Sequence, residues 1–262
     1  MHTALTIAGS DSGAGAGIQA DLKTFAALGV YGTTAITAIT AQNTRGVTAW
    51  EAVSVPLVVA QIEAVVSDIG ADAVKTGMLA NAAIVSAVAD AIRRLGLRHL
   101  VVDPVMIAKG GDRLLEETAI EAIRGQLLPL AEVVTPNLPE AEVLSGISIT
   151  SLDDMVSAGR RILALGPRVV LVKGGHLAGE DSVDISVSSE TLDEFRSPRV
   201  DSRHTHGTGC TLASAVAAYL AQGLTVPAAI RSAKAYLDGA IAHAPGIGSG
   251  HGPLGHFWRG YT

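Results

Sequence analysis

Short, continuous apolar runs rich in β-branched residues alternate along this chain with longer stretches whose apolar positions recur at helical spacing. Thr3–Ala8 predicts a buried strand, and a glycine-rich segment, GSDSGAGAG, separates it from a helical pattern over Ile18–Leu28. Thr33–Thr40 is β-branched and strand-like, AQNTRG reads as a loop, and Val47–Val55 predicts a strand beside it. Pro56 opens a helix that continues over Val58–Ser67, since a first-turn position tolerates its missing N–H. The alternation then repeats. Strands are predicted at Ala73–Lys75, His99–Val102, Glu132–Thr135 and Val169–Val172. Helices are predicted at Asn81–Leu95, Glu117–Leu128, Pro139–Leu144 and Asp153–Leu165. Residues 182–196 alternate weakly and suggest a hairpin, and two helices close the chain at Thr211–Ala221 and Pro227–His243.

Strand and helix patterns in this order predict an α/β fold with a mostly parallel sheet covered on both faces. No Ser/Pro-rich linker, charge block or internal repeat divides it, so residues 1–262 are expected to form one domain. In such sheets ligands bind beyond the carboxyl ends of the strands. Asp11, Gln42, Asn43, Lys75, Asp103, Asn137 and Lys173 each follow an apolar run and so become candidates.

Composition narrows the picture. Apolar residues make up 48% of the chain and aromatics only 3%, so the core must be built from Ala, Val, Ile and Leu. A net charge of −6 argues against a nucleic-acid surface, though local donors can still hold a small anion. The one cysteine cannot form an internal disulfide, and neither a signal-peptide pattern nor an uninterrupted apolar run of about 18 residues occurs. The expectation is a soluble, cytoplasmic protein without membrane or nucleic-acid partners.

That cysteine, Cys210, lies in HGTGCTLASAVAAYL, behind Gly207, Thr208 and Gly209 and at a helix start. Glycines that turn backbone N–H groups inward, added to a helix N-terminus, make an anion cradle. The same features favour a thiolate, so the Cys210 pKa is expected to be lowered and the thiol to serve as base or nucleophile. The alternative is a small buried residue at a helix cap. GSDSGAGAG is neither a Rossmann fingerprint nor a Walker loop: its glycines fall at 13, 15 and 17, residue 18 is Ile, and the chain has no Gly-Lys pair. Asp11 and Asp21 flank it, either to bond a substrate hydroxyl or to cap a helix. Asp103, Asn137 and Glu140 are hard oxygen donors of the kind Mg²⁺ prefers, while TPNLPEAE equally suits a capped helix start. Lys109 and Lys173 each precede a Gly-Gly pair, suited to phosphate or simply solvated. HExxH and Gly-x-Ser-x-Gly are absent, and the His204/His206 pair lacks the further ligands zinc needs.

Several blocks in order, LTIAGSDSGAGAGIQADLKTFAALGVYG, TAITAQNT, VKTGML, VVDPVM, TPNLPEAE, LVKGGH and THGTGCTLASAVAAYL, resemble the hydroxymethylpyrimidine/phosphomethylpyrimidine kinases of thiamin biosynthesis, a branch of the ribokinase-like kinases. The resemblance implies the ribokinase-like three-layer fold, a central mostly parallel sheet flanked by helices, working as a homodimer. It implies ATP and Mg²⁺ as cofactors and two successive phosphorylations of 4-amino-5-hydroxymethyl-2-methylpyrimidine. It puts Gln42 on the pyrimidine edge with Asp21 and Met78 lining the pocket, and Asp103 and Glu140 at the metal. Asn137, Lys173, Thr205 and Lys109 fall on the nucleotide side. Cys210 takes the position where most ribokinase-like enzymes carry a general-base Asp, with Gly207, Thr208 and Gly209 stabilising the transferring charge. Pyridoxal-type kinases share the fold and supply the alternative substrate. A non-catalytic sensor of pyrimidine or nucleotide is the alternative from another class.

Overall fold

In the computed structural model the chain is described over residues 1–106, 116–175, 177, 179 and 181–260. The strands are β1 (Thr3–Asp11), β2 (Tyr31–Asn43), β3 (Gly46–Ala52), β4 (Ala73–Thr76), β5 (Leu100–Val102), β6 (Val133–Val134), β7 (Val169–Lys173), β8 (Asp181–Ser188) and β9 (Leu192–Pro198). The α-helices are α1 (Gly17–Ala27), α2 (Val55–Asp68), α3 (Ala82–Arg94), α4 (Glu117–Ala122), α5 (Leu138–Ser145), α6 (Leu152–Leu163), α7 (Thr208–Ala221) and α8 (Val226–Ala242). All strands join one nine-stranded sheet in the order β3-β2-β1-β4-β5-β6-β7-β8-β9. β2, β1, β4, β5, β6 and β7 run parallel, and antiparallel β3, β8 and β9 finish the two edges.

Alternation along each strand explains the layers, because successive side chains point to opposite faces. Leu100 and Val102 join α2–α6 in one core, while Val101 joins α1, α7 and α8 in the other. Val170 and Val172 divide from Leu171 in the same way. The second core is lined with alanine: Ala213, Ala215, Ala217 and Ala218 of α7 are fully buried, which lets this helix lie close to the sheet. Among the described residues no helix is long and apolar enough to cross a membrane.

Three boundaries differ from the sequence expectation. AQNTRG is not a loop throughout. β2 continues to Asn43 and pairs antiparallel with β3, so the turn is confined to Asn43–Gly46. The helix expected over Glu117–Leu128 is α-helical only to Ala122; it widens to a π-turn at Ile123–Leu127 and ends in a 3₁₀ turn at Leu128–Leu130. Gly125 weakens it and Pro129 cannot donate into an α-helix. Finally, α7 begins at Thr208 rather than Thr211, which puts Cys210 inside its first turn.

Candidate active site

The carboxyl ends of β1, β2, β4, β5 and β7 meet the N-terminus of α7. Gly207 caps that helix in the left-handed region, at φ 84°, and a Cβ there would come 1.9 Å from the Gly15 carbonyl. Glycine is therefore required on two counts, conformation and space. Among the described residues no side chain caps α7, and the Thr208 N–H makes a long contact of 3.5 Å to the Thr205 carbonyl. First-turn amides left uncapped are the donors an anion would take.

Lys173, the last residue of β7, faces this helix mouth. Its Nζ donates to Asp103 Oδ1 at 3.0 Å, and Thr135 Oγ1 donates to the same oxygen at 3.4 Å. A Cβ on Gly209 would stand 3.2 Å from Lys173 Nζ and 3.5 Å from Asp103 Oδ2. Gly209 thus keeps the ammonium and the second carboxylate oxygen open to whatever sits at the cradle. Burial works against the Lys173 ammonium, but Asp103 and Glu140 hold its pKa above the ordinary lysine value.

Glu140 and Asn137 form a reciprocal capping box at the start of α5. Asn137 Oδ1 accepts from the Glu140 amide and Glu140 Oε2 accepts from the Asn137 amide, both at 2.9 Å. Asn137 therefore fills the helix-cap role its motif allowed. Glu140 is 3% exposed, and burial, with Asp103 adding to it against Lys173, pushes its carboxyl up to about 7. Buried carboxylates sharing a site in this way gain from a cation, and two of them fit a Mg²⁺ that takes its other ligands from phosphates and water. Among the described residues no group of three or more His, Cys, Asp or Glu is placed to hold a metal ion.

Two expectations are corrected here. Asp21 does not line a pocket. It is fully buried, and its oxygens accept from Lys75 Nζ at 2.9 and 3.0 Å, from Thr6 Oγ1 at 2.6 Å and from Ser214 Oγ at 2.6 Å. No lone pair is left for a ligand. The Cys210 pKa is not lowered. Burial pushes the thiol up to about 11, with Asp21 and Asp103 adding to the rise against the Lys75 ammonium and the Gly17 amide. Burial, with the two carboxylates behind it, outweighs the favourable helix N-terminus. Cys210 still keeps part of its surface accessible.

The remaining candidates are spread around the mouth. Gln42 is half-buried at the end of β2, with its amide nitrogen 3.1 Å from His206 Nε2 and its amide oxygen 3.2 Å from Thr40 Oγ1. Met78 is half-buried just after β4, beside Gly9, where a Cβ would meet its Cε at 2.8 Å. Lys109 lies outside the described residues. Lys75, a candidate from its place at a strand end, is fully buried beside Cys210, with a Cβ on Gly77 falling 2.8 Å from its Nζ. One group escaped the sequence reading as a site residue: His206, which pairs with Asp11 at 3.0 Å. Its signal was the histidine adjoining GTGC. A cavity of about 460 Å³ borders Gly174 and runs along Ser151, Leu152 and Val183, next to the strand that carries Lys173.

With this geometry described, similarity to known proteins can be set beside it. Residues 11–255 match the family model for phosphomethylpyrimidine kinase. A hydroxymethylpyrimidine/phosphomethylpyrimidine kinase from Rhizobium meliloti is 53% identical, covering 98% of this chain and 97% of the relative. A thiamine biosynthesis bifunctional protein from Geobacter sulfurreducens is 52% identical over 96% of this chain, which spans about half (51%) of that longer relative. The pyridoxal kinase from Staphylococcus aureus, solved with AMP-PCP and pyridoxal, superposes with a TM-score of 0.92 at 37% identity, covering 100% of this chain and 95% of that one. The fold and these matches place the chain in the ribokinase-like class of small-molecule kinases. Within that class, the chain belongs to the phosphomethylpyrimidine kinase family.

Proposed function

We propose that this protein transfers the γ-phosphoryl group of ATP to the hydroxymethyl group of 4-amino-5-hydroxymethyl-2-methylpyrimidine, and then phosphorylates the monophosphate to the diphosphate used in thiamin biosynthesis. The observation that carries this reading is the uncapped N-terminus of α7, with Cys210 in its first turn, facing the Lys173–Asp103 pair across the bare Gly209. Phosphoryl transfer demands positioning and charge neutralisation rather than covalent help from the protein. The amides of Gly207, Thr208 and Gly209 would stabilise charge on the transferring group. Lys173, with Thr205, Asn137 and Lys109, would hold nucleotide phosphates. Asp103 and Glu140 would hold Mg²⁺, which supplies charge neutralisation on the phosphate oxygens. Gln42 would read the aminopyrimidine edge, with Met78 against the ring. Asp21 serves from behind, through Lys75.

The raised Cys210 pKa shapes the mechanism. A thiol at about 11 is protonated near neutral pH, so Cys210 orients the hydroxymethyl group rather than waiting as a thiolate. A loose transition state needs little prior removal of the hydroxyl proton. ATP as donor is supported by the AMP-PCP complex of the Staphylococcus aureus relative. A homodimer, a cytoplasmic location and a chain working as one unit belong to the same proposal.

Pyridoxal is the second reading, favoured by the pyridoxal complex of that same neighbour. ADP release from Mg·ATP should be measured with the pyrimidine, its monophosphate and pyridoxal. Turnover of the first two well above pyridoxal is expected. Pyridoxal alone would overturn the substrate, and tight pyrimidine binding without ADP would favour a sensor.

A further inference from the structure

His206 stands immediately before the cradle, and the mechanism above gives it no work. Its surroundings do. Asp11, ending β1, gathers backbone N–H donors from Gly13, Gly15 and Ala16 at 2.8–3.0 Å, and His206 Nε2 at 3.0 Å. Burial pushes the Asp11 carboxyl up, but hydrogen bonds from His206, Ala16 and Gly13 outweigh it and leave it below the ordinary value. Asp11 is thus a carboxylate, which only accepts, so His206 Nε2 carries a proton whether the ring is neutral or charged.

The same Nε2 lies 3.1 Å from Gln42 Nε2, where N–H would face N–H. At the other end of that amide, Thr40 Oγ1 lies 3.2 Å from Gln42 Oε1 and 2.9 Å from the Ser10 carbonyl. One hydroxyl hydrogen cannot serve both acceptors. A half-turn of the Gln42 amide relieves both conflicts. Its nitrogen then donates to Thr40 Oγ1, which is freed to donate to Ser10, and its oxygen replaces the clash at His206 with a three-centre bond in which the one Nε2 hydrogen is shared between Asp11 Oδ2 and Gln42. The imidazole is itself held. A Cβ on Gly15 would come 2.3 Å from His206 Cδ2, and the His206 amide donates to the Gly252 carbonyl at 3.1 Å.

We propose that His206, braced by Asp11, is a positioning residue that fixes which way round the Gln42 carboxamide meets the substrate. This rests on the reading of Gln42 as the residue that pairs with an aminopyrimidine. In the fixed orientation Gln42 offers an oxygen lone pair on the His206 side and an N–H on the Thr40 side. The substrate edge presents its amino group and a ring nitrogen side by side, so it pairs in one sense only. On the ring, the amino-bearing carbon lies between that nitrogen and the carbon bearing the hydroxymethyl group. The hydroxymethyl group therefore falls on the His206 side, toward Gly207–Cys210. The reversed amide would send it away from the cradle.

The test compares kcat/KM for 4-amino-5-hydroxymethyl-2-methylpyrimidine with that for the analogue lacking the amino group. Wild type should prefer the amino compound, and His206→Leu should cut the preference by about tenfold or more. His206→Gln, which restores an N–H at similar reach, should recover most of it. Thr40→Val should lower it by a smaller factor, and it decides the matter if a thermal melt shows His206→Leu misfolded. An unchanged preference in the folded variants, or none in wild type, overturns the inference. Wild type that turns over neither pyrimidine overturns the substrate reading itself, and this inference with it.

Discussion

Lys75–Asp21 and Lys173–Asp103 are the same chemistry in two settings. Each lysine comes from the carboxyl end of a parallel strand, and the pairs close at 2.9 and 3.0 Å. The first is sealed, with both side chains at 0% exposure and both carboxylate oxygens filled by Lys75, Thr6 and Ser214. The second is less tightly sealed. Lys173 keeps 14% exposure against 3% for Asp103, and among the described residues Asp103 Oδ2 is bordered by the bare Gly209 rather than by a side-chain donor. A satisfied buried pair specifies structure, whereas a pair with spare donors and lone pairs can do chemistry. The difference lies in the neighbours, not in the pair.

The largest effect should come from breaking the sealed pair. Asp21→Asn leaves Lys75 buried without its counter-charge, at about 3–5 kcal/mol of stability. Denaturant melts should show it with no change in slope. Next, Asp103→Asn takes one of two carboxylates from Lys173 and should lower kcat by about 10²–10³, with a smaller fall in the melt than Asp21→Asn because Glu140 still supports the ammonium.

A third prediction concerns acid. His256 is buried against α7, with Thr211 Oγ1 3.0 Å from its Nε2, and burial, helped by Lys23, holds its pKa down at about 4 against 6.5. The folded protein therefore favours the neutral ring. The contribution is fully present above pH 6.5 and is lost as pH falls through 4, up to roughly 3 kcal/mol in all. Melts across that range should show the loss, and His256→Gln should flatten it. The smallest effect should be at the thiol. Cys210→Ser should reduce kcat by no more than about tenfold if orientation is its task, whereas loss of a working base costs about 10²–10⁴.

Sequence pattern made the alternating layers legible, because strands such as Val169–Lys173 are apolar on both faces and glycine or proline punctuates their ends. Where it failed, local and tertiary forces competed. Gly207 in the left-handed region starts α7 ahead of its apolar run, and Gly125 with Pro129 loosens α4 before its periodicity ends. At the site, motif order brought Cys210, Lys173, Asp103 and Glu140 to notice. It did not separate Asp21 from Asp103, since filled and open lone pairs depend on Thr6, Ser214 and Gly209, far apart in sequence. It also gave the wrong direction for the Cys210 pKa, because the burial that raises it, and the carboxylates of Asp103 and Asp21 that add to it, arise only on folding.

The most direct measurement is to take the melting temperature and kcat of Asp21→Asn and Asp103→Asn side by side. The account predicts that Asp21→Asn loses about 10 °C or more, while Asp103→Asn loses clearly less melting temperature and far more of its kcat. Equal thermal losses in both, or an Asp103→Asn protein as active as wild type, would contradict it.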